Sequence, residues 1–96
     1  MTHSPSVIAP TEHQIAWEIA DALNRHLTDE DRALVYVNLG SAHYPAAIRR
    51  LLHVALSGQI CLAPSILDRL QIWCRVSHRD AEYEPLLSRL RGFRCR

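Results

Sequence analysis

Each apolar stripe in this sequence follows directly on a helix-start motif, and that coupling restricts the chain to short helices folded on one another. Thr11-Glu12-His13-Gln14 fits a capping box. In that motif the Thr hydroxyl accepts from the third backbone N–H and the Gln side chain reaches back to the Thr N–H. Behind it, Ile15, Ala16, Ile19, Ala22, Leu23, His26 and Leu27 fall on one side at about 100° per residue. Thr28 opens a second start, with Asp29, Glu30 and Asp31 in the turn where the helix dipole favours negative charge. Pro45 suits the first turn of a third helix. Its stripe is Ile48, Leu51, Leu52, Ala55 and Leu56, with Arg49, Arg50, His53 and Ser57 facing away and Gly58 as the expected left-handed stop. Pro64-Ser65 leads into Ile66, Leu67, Leu70, Trp73 and Cys74, with Asp68, Gln71 and Arg75 outside. Pro85 is expected to start a last short helix carrying Leu86, Leu87 and Leu90, ended by Gly92.

These elements predict an all-α fold: one domain over residues 11–92, a small bundle of four or five short helices. Residues 1–10, rich in Ser and Pro, are expected to form a flexible tail, and residues 93–96 a second one. One segment carries two readings. Residues 33–39 are apolar nearly all round as a helix, yet also rich in the β-branched and aromatic residues of a buried strand. The acid-loaded start at Thr28 favours helix. The minority reading pairs residues 34–39 with 59–62 as parallel strands around the third helix, a βαβ unit completed by a partner chain.

Composition narrows the chemistry. The 96 residues are 48% hydrophobic and 22% charged, a globular balance. All eleven basic side chains are Arg, so a phosphate-loop lysine, a lysine Schiff base and a lysine general base are excluded. Residues 1–10 lack the basic start and long apolar core of a secretory leader, and no run approaches a membrane span. Cys61, Cys74 and Cys95 form an odd set without C-x-x-C spacing, which points to a soluble cytoplasmic chain. On this reading Cys61 and Cys74 are small buried residues and Cys95 is exposed.

The net charge of +1 conceals an asymmetry. Residues 1–31 hold six acids against Arg25 alone, and residues 32–79 hold six Arg against Asp68 alone. Either the two regions pair within the domain, or Arg49, Arg50, Arg75 and Arg79, extended by Arg89, Arg91, Arg94 and Arg96, gather into a patch for phosphate or an acidic partner. A pI of about 7.8 weighs against nucleic acid. So does the connector from Gly58 to Ala63, which is longer than a helix-turn-helix turn. The exposed Asp68, Gln71 and Arg75 of the following helix are a weak base-reading set.

No spacing marks a catalytic or metal centre. His53, Cys61, Cys74 and His78 could in principle gather around zinc, but they match no finger or ribbon pattern. Nothing local marks Cys61 as a nucleophile, and Glu82 and Glu84 read as a solvated turn before Pro85. No cofactor is expected. Among the aromatics, Trp73 belongs to the fourth stripe, and Tyr44 and Tyr83 fall in loops. Trp17 lies off the first stripe, beside His13, Asp21 and Asn24. The function these features favour is a non-enzymatic protein–protein interaction module that self-associates, with Trp17, Tyr36, Val37 and Ile72 at the contact. The alternative is a nucleic-acid-associated regulatory protein using its Arg-rich face and tail.

Overall fold

Thr11 launches the first helix as its sequence requires. Its hydroxyl accepts from Gln14 N–H at 3.1 Å, and its own N–H donates to Gln14 Oε1 at 3.1 Å. The computed structural model describes residues 11–93. The expected tail at residues 1–10, and Arg94, Cys95 and Arg96, lie outside the described residues. Helix α1 runs Glu12–Leu23 and ends in a 3₁₀ turn, Asn24–His26. Helices α2 (Asp29–Gly40), α3 (Tyr44–Ser57), α4 (Pro64–Val76) and α5 (Asp80–Arg91) follow. The fold is all-α, with no strand among the described residues. No helix among them is long and apolar enough to cross a membrane.

The strand reading of residues 34–39 is therefore corrected. Thr28 Oγ1 accepts from Asp31 N–H at 3.1 Å and Thr28 C=O accepts from Arg32 N–H at 2.8 Å, which commits the chain to a helix. Residues 59–62 are connector. All-round burial does not occur either: α2 buries only Val35 and Leu39.

Three helices close with the paired bonds of a Schellman motif. At the end of α2, His43 N–H reaches Asn38 C=O and Ala42 N–H reaches Leu39 C=O. Ile60 and Gln59 do the same at the end of α3, and Arg79 and His78 at the end of α4. The left-handed residues are Ala42, Gln59 and His78, with φ of 61°, 51° and 57°, and no glycine takes that conformation. Gly58 thus stops α3 one residue earlier than the left-handed position. Its missing side chain lets Ile60 fold back, since a Cβ there would lie 3.1 Å from the Ile60 side chain.

Helix α5 begins at Asp80 rather than Pro85. The Schellman turn after α4 feeds the chain straight into a new helix, whose first turn carries Asp80 and Glu82. Pro85 then sits inside it and forgoes one backbone N–H. Tyr83, expected in a loop, is fully buried as a result, 5.5 Å from the Trp73 ring. In α1 the stripe also shifts at its end. Ala20 is buried and Ala22 exposed, because the buried arc centres on Leu23 and Ala16, and His26 is exposed because the 3₁₀ turn breaks the helical phase after Leu23.

The core centres on α3, which packs against α1, α2 and α5, while α4 closes against α1 and α5. Ile15, Ile19, Leu23, Ile48, Leu51, Leu52, Leu70 and Leu90 are its largest aliphatic members. Cys74 is a buried free thiol of this core, as expected. Cys61 departs from expectation: it is half-buried in the connector and disulfide-bonded.

Burial pushes the Cys74 thiol up from 9.0 to about 11, with Asp80 adding and Arg79 opposing. Burial also raises the Tyr83 phenol, helped by Glu82 and opposed by Arg49 and Arg79. An acid whose folded value is raised stays protonated in the folded chain while the unfolded chain already releases its proton. Folded stability is therefore expected to fall as pH rises from about 9 to about 11. Denaturant midpoints at neutral pH and at the top of that window test this. Cys74→Ala should flatten the decline, and an equally steep decline in that variant would contradict the assignment.

Candidate interaction surface

The 3₁₀ turn folds α2 back along α1, so the start of α1 lies near the end of α2. His13 meets Tyr44, the first residue of α3, edge-on with ring centroids 5.5 Å apart. One turn further on, Trp17 lies 5.8 Å from Tyr36. At the opposite end, the Tyr36 hydroxyl lies 3.4 Å from Asn24 Oδ1. Arg32 there donates to the carbonyl oxygen of Asn24 at 2.9 Å and to Asp29 at 3.2 Å. His13, Trp17, Tyr36 and Tyr44 thus form a continuous aromatic row across α1, α2 and the start of α3.

Helix α2 sets what stands beside that row. With Val35 and Leu39 buried and Asp31 turned toward α3, the face opposite the core is left to Ala33, Leu34, Val37 and Gly40. Val37 is 65% exposed, Leu34 43% and Trp17 37%. A largely apolar outward face on a helix requires an explanation beyond the monomer's own core. Among the expected contact residues, the structure brings Trp17, Tyr36 and Val37 together and leaves Ile72 apart. Ile72 lies on α4 with the exposed Val76 one turn away, and α1 stands between α4 and α2. Leu34 was not anticipated on the surface. Its cue was the i, i+4 pair Val35 and Leu39, which leaves positions 33, 34, 37 and 40 outward.

The arginines are mostly paired. Arg49 binds Glu82 across α3 and α5, and Arg79 approaches the same carboxylate at 3.9 Å. The Arg79 guanidinium also lies 5.9 Å from the centre of the Trp73 ring. Arg50 reaches Asp31 at 2.9 Å and Arg69 reaches Glu18 at 3.0 Å. Arg91 holds Asp68 at 2.9 Å and Gln71 at 3.0 Å. The acidic first third and the Arg-rich middle thus meet inside one chain, through Asp31 and Glu18. Glu82 raises the Arg49 pKa further. Such exposed pairs orient side chains more than they stabilise the fold. Of the residues expected to contact phosphate or an acidic partner, Arg75 and Arg89 have no acid partner among the described residues; Arg94 and Arg96 lie outside them.

Hollows lie elsewhere on the surface of the described residues. One of about 310 Å³ runs between α4 and α5, where Arg75 and Arg91 face Asp80 and Glu84. A shallower one of about 530 Å³ is bordered by His26, Asp31, Arg50 and His53. Among the described residues no group of three or more His, Cys, Asp or Glu is placed to hold a metal, and His53, Cys61, Cys74 and His78 do not converge. Comparison with protein-family models, curated proteins and solved structures returned no match.

Proposed function

We propose that this chain is a non-enzymatic helical interaction module that self-associates through the outward face of α2 and the neighbouring Trp17. The observation that carries the reading is the exposure of Leu34 and Val37 on one helix face, flanked by the Trp17–Tyr36 pair. Buried aromatic and aliphatic anchors supply most of the energy of protein contacts. A small domain of marginal stability also gains from association, because a partner that binds only the folded chain stabilises it. The nucleic-acid alternative has less support, since Arg49, Arg50, Arg79 and Arg91 each have a carboxylate partner.

Light scattering coupled to size exclusion tests self-association. The expected mass is a multiple of the 11.0 kDa chain, rising with concentration. A mass of one chain throughout the micromolar range would refute it.

A further inference from the structure

We propose that the occupant of the α2 face is a second copy of this chain, docked with its own α2 antiparallel across a two-fold axis near Val37. This rests on the self-association proposed above and names its geometry.

The polar groups at the two ends of the face favour this arrangement. At the α2 start, Glu30 and the nearby Asp21 of α1 have no cation partner among the described residues, while Asp29 is engaged by Arg32. At the α2 end stand His13 and His43, both exposed, with no acid on that face among the described residues. Glu12 is about 140° round α1 from Trp17 and faces the other way. Arg25, in the 3₁₀ turn beyond α1, forms no ion pair with Asp21 or Glu30. Parallel docking would set Glu30 against Glu30 and Asp21 against Asp21. Antiparallel docking sets the acids of each copy against the histidines of the other, whose ring N–H groups can donate to a carboxylate, and also opposes the helix dipoles favourably. Closed two-fold pairing is the commonest arrangement of such contacts.

Gly40 supplies an independent observation. It is a helical residue with no positive φ, and a Cβ built on it would meet nothing within 4 Å. Nothing within the chain requires a glycine there, although glycine is the least helix-favouring residue after proline. Glu30, Ala33, Leu34, Val37 and Gly40, at about 100° per residue, fall within an arc of about 120°. Two small residues beside Val37 let a second helix approach closely.

Two experiments test the docking. Gly40→Gln is expected to weaken self-association by about ten-fold or more while leaving the thermal midpoint unchanged or raised at dilutions where both proteins are single chains. Association as tight as wild type would overturn the close approach. The second is p-benzoylphenylalanine in place of Glu30, followed by irradiation and peptide mapping. The expected product is a dimer crosslinked to the 40–43 segment. Within one α2 that segment is about 15 Å away, so the link must come from the other copy. A dimer crosslinked at residues 29–34, or onto Ile72 and Val76, would overturn the antiparallel geometry while leaving self-association standing. A single-chain mass by light scattering would remove both.

Discussion

Leu51→Ala is expected to lower the unfolding free energy by about 2–5 kcal/mol, the usual cost of a buried cavity that cannot fully collapse. Leu51 has no exposed surface, and it lies on α3, which touches α1, α2 and α5. Three helices would therefore have to shift together to refill the space. Domains of this size have roughly 5–15 kcal/mol in total, so the loss is a large part of the whole. Urea denaturation reads it directly, with Leu34→Ala as the control. Leu34 is 43% exposed, so its truncation should cost about 0.5 kcal/mol or less in the isolated chain. Equal losses at the two positions would contradict the placement of α3 at the centre of the fold.

Val37→Glu is expected to have the second large effect, on association rather than folding. Val37 is 65% exposed, and its substitution removes no intrachain packing of consequence. At the centre of a two-fold contact, however, the change appears twice and buries two like charges against an apolar surface. A truncation at a contact hot spot costs about 2 kcal/mol or more, so self-association should weaken by at least about 30-fold. Circular dichroism should show unchanged helix content while light scattering shows the mass falling to one chain. Undiminished association in this variant would exclude the α2 face as the contact.

The two experiments separate what the sequence encodes locally from what it leaves to packing. Thr11 and Thr28 were legible because a capping hydroxyl acts within three residues of its own position, and both caps form as read. The stripes of α3 and α4 were legible because their period is that of the helix. Tyr83 was not. Pro85 suggested a helix start, yet the tight turn after α4 begins α5 five residues earlier and carries Tyr83 under Trp73. The left-handed stop after α3 was assigned to Gly58 on local strain alone. Three Schellman closures place Ala42, Gln59 and His78 in the left-handed conformation instead, since the backbone bonds satisfied outweigh about 1–2 kcal/mol of strain.

The contact surface was partly legible for a related reason. Trp17 stood out because it broke the period of its own helix. The apolar α2 segment could be assigned to strand, buried helix or contact face until its neighbours were known, because residues 33–39 carry little contrast between sides. The charge asymmetry left the same ambiguity. Glu18 and Asp31 resolve it by meeting Arg69 and Arg50 within the chain, which leaves the outward face of α2 with few charges of its own.

The most direct test is a dilution series of NMR spectra recorded on the full chain. The amide signals of Ala33, Leu34, Val37 and Gly40 and the indole N–H of Trp17 are expected to shift with concentration. The signals of Ile72, Val76 and the indole of the buried Trp73 are expected to stay fixed. Spectra that do not change with concentration, or shifts confined to Ile72 and Val76, would contradict self-association through α2.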